Sequence, residues 1–113
     1  AERSGRIVGL TNWRLAGLQR AIARGKLQSF RDLTQLDNTA FYADDSGTNY
    51  AQSRYLLYYM QQNGHLHPFY RAFRAARAKD PTGYATLVRQ LGERDMVDFQ
   101  KRWERYIGKL QYP

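Results

Sequence analysis

The sequence predicts an all-α protein, an irregular bundle of five or six helices around a central helix at about residues 49–63. Apolar residues recur at three- and four-residue spacings through most of the chain, which is the period of a helix buried on one side. Polar caps and glycines stand where these segments begin and end, and the longest strand-like run is Ile7-Val8. The links are short except at residues 37–48, and short links favour antiparallel neighbouring helices.

The composition fits one domain, residues 1–113, with a core of modest size. The chain has no cysteine, which excludes disulfides and cysteine-based metal sites or nucleophiles. No apolar run is long enough to cross a membrane, so we expect no membrane partner. No signal-peptide pattern is visible. The first residue is Ala1, and we expect the chain to be processed or to be a piece of a longer protein.

The charge is strongly basic, with 18 lysines and arginines against ten acidic residues and a net charge of +8. Such a chain can bind nucleic acid, anionic lipid or an acidic protein surface. An excess of charge is not a footprint unless the charges cluster. Arginines spread over solvated helix faces, or facing acids on another part of the protein, would give the same composition.

Two helices are predicted before the loop. The first is capped by Thr11 or Asn12, runs to about residue 24 and is closed by Gly25. The second is short and begins at Ser29, with Asp32 three residues later in a capping-box-like arrangement. The expected inward side chains are Leu15, Leu18 and Ile22 in the first helix and Phe30, Leu33 and Leu36 in the second. Residues 37–39 are expected to end the second helix.

The central helix is the most apolar one in the sequence. Thr48 or Asn49 is the expected cap, and Gly64 follows its end in the position of a left-handed closing residue. The predicted inward stripe consists of Tyr50, Ser53, Leu57 and either Met60 or Gln61, widened by Leu56 and Tyr59.

Three further helices are predicted in the second half. One has Pro68 in its first turn, the next starts with Asp80 as cap and Pro81 after it, and the last starts at Asp95. Gly92 closes the middle one. The expected inward faces are Phe69, Tyr70, Phe73 and Ala76, then Tyr84, Leu87, Val88 and Leu91, then Met96, Phe99, Trp103, Tyr106 or Ile107, and Leu110.

The residues by themselves offer weak candidates for chemistry. His65 and His67 form a pair that can bind a metal, but zinc needs three or four ligands and none stands at a matching spacing, so a turn is the simpler interpretation. Asp44 and Asp45 are adjacent in a polar loop, where carboxylates are ordinarily solvated. Ser53 is not in a nucleophile elbow. We therefore assign no catalytic residue from these motifs.

One segment is a candidate for nucleic-acid binding. It is the fourth predicted helix, whose cationic side chains are Arg71, Arg74, Arg77 and Lys79. Its aromatic residues share the apolar stripe, whereas a stacking platform needs exposed rings. A solvated face is therefore favoured. Trp13 and Trp103 lie on apolar stripes and are expected in the core.

Four segments of the chain together resemble one known family. The sequence is similar to the C-terminal helical part of gluzincin-type zinc metallopeptidases, the peptidase MA group, in a bacterial branch. The resemblance covers nearly all of the chain. Its segments are 5–15, 49–53, 80–84 and 99–106, with the sequences GRIVGLTNWRL, NYAQS, DPTGY and FQKRWERY.

The resemblance implies that the zinc lies upstream of this chain. In that family the metal is held by His-Glu-x-x-His and a further glutamate on the next helix, and no His-Glu pair occurs in these 113 residues. Glu2 cannot be the missing glutamate because its neighbours do not match that motif. We therefore expect no metal and no cofactor in this chain, and zinc in an upstream half. The resemblance is compatible with a location outside the cytoplasm, but the residues do not fix the compartment.

The resemblance also suggests one site residue, Tyr50. In related peptidases a tyrosine from the helical region can reach the zinc site and donate a hydrogen bond to the oxyanion of the tetrahedral intermediate. Tyr50 stands at the corresponding position, at the start of the central helix. The alternative is that Tyr50 is a core residue of the first helical turn.

Two functions follow as expectations. The first is a non-catalytic C-terminal helical domain of a zinc metallopeptidase, which forms part of the substrate-cleft wall and docks on the upstream catalytic half of the same protein. An exposed apolar patch near Trp13 and Tyr50 would mark that interface. The alternative is a free-standing basic helical module that binds nucleic acid or a protein partner, for which the sequence gives less support.

Overall fold

A computed structural model describes residues 12–43 and 47–111, without the side chains of Asn12 and Trp13. Within these residues the chain forms seven helices and no strand, which confirms the all-α prediction. The expectations for Ile7-Val8, Thr11, the Asp44-Asp45 loop and the Trp13 side chain lie outside this part. The helices are α1 (Asn12–Ala23), α2 (Phe30–Thr34), α3 (Asn38–Phe41), α4 (Thr48–Gln62), α5 (Leu66–Ala76), α6 (Tyr84–Leu91) and α7 (Met96–Lys109).

Several predicted helix ends are confirmed. Ser29 precedes α2, and its hydroxyl accepts a hydrogen bond from the Asp32 amide at 3.1 Å. Asp95 precedes α7, and its carboxylate accepts from two first-turn amides. Gly64 and Gly92 follow α4 and α6 with positive φ angles of 76° and 69°. These ends were predictable because a cap depends only on residues within one helical turn.

The start of the central helix is different from the prediction. Its N-cap is Gly47, with a φ of 71° and no side-chain cap hydrogen bond, and Thr48 is already its first helical residue. Asn49 is therefore not the cap. Its side chain instead joins α4 to the preceding segment, because Nδ2 donates to the Phe41 carbonyl at 3.1 Å and Oδ1 accepts from Gln28 at 2.6 Å.

One more helix start is as predicted and another needs correction. α5 begins at Leu66, so Pro68 lies in its first turn, as expected. α6 begins at Tyr84, after a turn closed by a hydrogen bond from the Gly83 amide to the Asp80 carbonyl. The Asp80 carboxylate still stabilises the start of this helix, because it accepts hydrogen bonds from both the amide and the hydroxyl of Thr86 at 2.7 Å.

One helix was not predicted. Residues 37–39 were expected to break the chain, but Asp37 caps the four-residue α3 through a hydrogen bond from the Ala40 amide at 2.8 Å. A short polar segment of this kind has no apolar period that could reveal it.

α4 packs against α1, α5 and α7, which confirms it as the central helix. Its buried residues are Ala51, Gln52, Tyr55, Leu56 and Met60. The predicted stripe is thus partly wrong, because Tyr50, Ser53, Leu57 and Tyr59 are only half-buried. Tyr50 and Tyr59 lie at the margin of the core, where their hydroxyls can reach polar surroundings, whereas Tyr55 is buried.

The deepest packing lies between α2 and α7. The Phe30 and Trp103 rings meet edge to face with centroids 5.0 Å apart, and Phe99 lies 5.9 Å from Phe30. The Trp103 indole N–H donates to the Tyr55 carbonyl at 3.4 Å, which ties this cluster to α4. Trp103 is 1% exposed, so its predicted core position is confirmed.

Candidate functional site

The histidine pair does not form part of a metal cluster in the described residues. His65 is the half-buried N-cap residue of α5, and His67 is exposed in its first turn. Nowhere in residues 12–43 and 47–111 do three or more His, Cys, Asp or Glu side chains come together in a way that could hold a metal ion.

Ser53 lines an apolar cavity of 250 Å³ between α2, α4, α5 and α6. The described residues around it include Leu33, Leu57 and Phe69 and no histidine or carboxylate. A serine needs a neighbouring base to act as a nucleophile. The lining of this cavity supplies none.

The cationic residues of the fourth predicted helix are exposed on and after α5. Phe69 and Phe73 stack with their rings 5.9 Å apart and are half-buried, away from this cationic side. Tyr70, which was predicted to point inward, is instead 41% exposed. A single exposed ring among arginines is a small platform for bases.

A cleft of 640 Å³ lies between α1 and the start of α4. It was not predicted from the sequence. Four of its lining residues are cations, Arg14, Arg20, Arg24 and Lys26, and no described lining residue is acidic. In the described residues, carboxylates form ion pairs only with Arg102 on α7, so none neutralises Arg20, Arg24 or Lys26.

Small residues make room for these cations. A Cβ on Gly17 would stand 3.8 Å from Arg20 Nη2, and one on Gly47 would stand 3.9 Å from Arg14 Nη1. Both distances correspond to ordinary contact, so the space would admit a methyl group at either position. At Gly47 the φ of 71° still disfavours any side chain. The two glycines therefore line the cleft without adding side chains to it.

Amide side chains fix the floor of the cleft. Gln52 Nε2 donates to the Gln28 carbonyl at 2.9 Å, and Gln100 Nε2 donates to the same carbonyl at 3.0 Å. Gln28 in turn donates to Asn49. Gln52 is completely buried, and its Oε1 has no hydrogen-bond partner among the described residues. These hydrogen bonds fix the amide side chains in the floor of the cleft, and the Gln52 Oε1 atom remains as an acceptor without a described donor.

Tyr50 is not among the residues that line this cleft, although its sequence neighbours Asn49 and Ala51 line it. It is half-buried in the first turn of α4. The Arg14 guanidinium lies over its ring, 4.5 Å from the ring centre. A cation over an aromatic face restricts the orientation of both groups.

The sequence does contain a signal for this cleft. Arg14, Gly17, Ala21 and Arg24 follow one another at spacings of three, four and three, so they share one helical face. Cations separated by small residues on such a face are compatible with a recess. The prediction for this helix rested on its apolar stripe, so it did not identify the cleft.

No protein-family model matches the chain, and no match was found among curated proteins or solved structures. None of the helices in the described residues is long and apolar enough to span a membrane.

Proposed function

We propose that this chain is the non-catalytic C-terminal helical domain of a zinc metallopeptidase and forms part of the wall of its substrate cleft. One observation supports this most directly. Two of the segments that resemble the family are far apart in sequence but adjacent in space, since Arg14 of the first lies over the Tyr50 ring of the second. The contact lies beside an open cleft, where a wall residue can reach a ligand.

The proposal assigns the zinc to residues outside this chain, in the upstream catalytic half. When bound, zinc polarises the scissile carbonyl and activates a water molecule. Tyr50 would donate its hydroxyl proton in a hydrogen bond to the oxyanion of the tetrahedral intermediate, and Arg14 would hold the tyrosine ring in place. The other residues of the wall would orient the substrate and exclude water.

The first test is the coding sequence upstream of Ala1. A His-Glu-x-x-His motif followed by a glutamate, ending shortly before Ala1, is the expected result. A start codon directly before Ala1 would remove the basis of the proposal.

The second test is Tyr50→Phe in the complete enzyme. Loss of one oxyanion donor lowers kcat by about 10²–10³-fold, with a small change in KM. Tyr70→Phe is the matched control because it removes the same hydroxyl from an exposed ring on α5. Equal activities of the two variants would show that Tyr50 has only a packing role.

A second candidate function is a basic module that binds nucleic acid or an acidic protein surface. The observation in its favour is that Arg71, Arg74, Arg77 and Lys79 are all exposed and form no ion pair with a described carboxylate. Binding to heparin or DNA should then fall steeply with salt and be abolished by Arg71→Glu with Arg74→Glu. If neither the salt concentration nor the double substitution alters retention on heparin or DNA, this candidate is wrong.

A further inference from the structure

We propose that the cleft between α1 and the start of α4 binds a small organic oxyanion, a carboxylate or a phosphate ester. The inference rests on the cleft itself and does not depend on the proposed peptidase function. Its basis is a set of cations, a helix terminus and a buried acceptor that converge on one recess.

Three cations of the cleft have no acidic partner among the described residues. They are Arg20, Arg24 and Lys26, and no described lining residue is acidic. Like charges that share a concave surface repel one another, and the low-dielectric wall strengthens their common field. An oxyanion in the recess removes this repulsion and accepts the guanidinium N–H groups, which match carboxylate and phosphate oxygens geometrically.

The positive end of α4 reinforces this field. The helix has 15 residues, and Gly47, Thr48 and Asn49 at its start all line the cleft. Gly47 has no side chain that could cap the first turn or block access to it. Helix starts of this kind favour negative charge.

Gln52 adds an independent indication of a ligand. This side chain is completely buried, lines the cleft and leaves Oε1 without a hydrogen-bond partner among the described residues. A buried acceptor without a donor is unfavourable. The hydroxyl group of a hydroxy acid or of a protonated phosphate is the kind of donor that this acceptor lacks.

The shape of the cleft points to a small molecule. Its volume of 640 Å³ lies within the range of small-ligand sites. That volume leaves room for an organic molecule that carries the anionic group. The cations surround a recess, whereas a nucleic-acid strand follows an exposed track of charge.

The test is calorimetric titration of the 113-residue chain with inorganic phosphate and with citrate, each up to roughly 10 mM. Arg20→Gln with Arg24→Gln removes two cations from the cleft. Arg71→Gln with Arg74→Gln is the matched control, because it removes the same residue types and the same charge from α5. All four arginines are exposed, and circular dichroism verifies that each variant remains folded.

The expected result is saturable binding that the cleft variant weakens by about tenfold and the α5 control by less than about twofold, since each lost charge-assisted contact is worth up to tenfold. Tighter binding of phosphate identifies a phosphate ester as ligand, and tighter binding of citrate identifies a carboxylate. If the parent chain binds neither probe, or if both variants weaken binding equally, the proposal is wrong.

A second variant avoids dependence on α1. Arg24→Gln with Lys26→Gln changes only residues after the last turn of that helix and should weaken binding similarly. These titrations measure anion binding by this chain alone. A negative result therefore leaves the peptidase proposal unchanged, and the upstream coding sequence has no bearing on the cleft.

Discussion

α7 and α5 are both strongly amphipathic helices, yet they are used differently. α7 buries Phe99, Trp103 and Ile107 almost completely. None of the eleven residues of α5, all of which are described, is buried. An apolar stripe fixes which side of a helix faces inward, but the number of neighbouring elements decides how much of that side is covered.

The two regions are consequently held by different forces. Around α7, aromatic rings from α2 and α4 close over one another, and burial of apolar area stabilises the contact. The α5–α6 pair is held more by individual short-range contacts. Asp80 bonds to Thr86, and Gly83 allows the Phe73 ring to approach the backbone of the turn.

The largest expected effect is that of Trp103→Ala. Removal of a fully buried tryptophan leaves a cavity and deletes the hydrogen bond from the indole to the Tyr55 carbonyl, and should lower the free energy of unfolding by about 3–5 kcal/mol. Phe69→Ala on the half-buried α5 should cost only about 1–2 kcal/mol. Urea denaturation of both variants measures the difference, and equal losses would refute the contrast between the two helices.

The next prediction compares the loss of stability at Gly83 and Gly92, two glycines that both have a left-handed backbone conformation. A Cβ on Gly83 would lie 2.8 Å from Phe73 Cε1, whereas nothing lies within 4 Å of one on Gly92. Gly92→Ala should cost about 1–2 kcal/mol from the backbone conformation alone. Gly83→Ala adds the steric conflict and should cost about 2–4 kcal/mol. Thermal unfolding that ranks the variants in the opposite order would show that Phe73 moves aside freely.

A smaller effect is expected for the stability of the protein at acidic pH. The hydrogen bonds from the Thr86 hydroxyl and amide lower the pKa of Asp80 below its ordinary value of 3.8. A depressed carboxyl pKa contributes stability above the unfolded value, and that contribution is lost as the pH falls through the folded value. Asp80→Ala should therefore cost about 1–2 kcal/mol at neutral pH and progressively less below pH 3.8.

The control for this prediction is Asp80→Asn, which keeps an acceptor for Thr86 but cannot titrate. Its stability difference from the parent chain should also shrink in acid. A difference that stays constant from neutral pH to strong acid would mean that the ionised form of Asp80 has no role in this turn.

The smallest effect is expected for the stability of the protein at alkaline pH, and it involves the contact between α4 and α7. Burial, aided by the neighbouring Tyr58 and Tyr59 hydroxyls, raises the pKa of Tyr106 from 10.0 to about 12. The stability linked to its neutral form is present below pH 10.0 and is lost as the pH rises towards about 12. Tyr106→Phe should reduce this alkaline loss, as followed by urea midpoints at two pH values. Tyr70→Phe, on an exposed ring, should leave the loss unchanged.

The candidate site was predictable only in part. Tyr50 was named from a resemblance, and its place in the first turn of α4 follows from the local pattern. The cleft beside it depends on α1 meeting the start of α4, a contact between residues distant in sequence. Its signal in the sequence is the shared face of Arg14, Gly17 and Arg24, which becomes a recess only once another helix stands opposite.

The sequence by itself determined the helical class and several helix ends, including those at Ser29, Gly64 and Asp95. These features follow from residues within a turn of one another, so local chemistry suffices. The tertiary structure decided which side of α4 is buried. It also gathered four cations around one cleft, because these arrangements depend on which helices become neighbours.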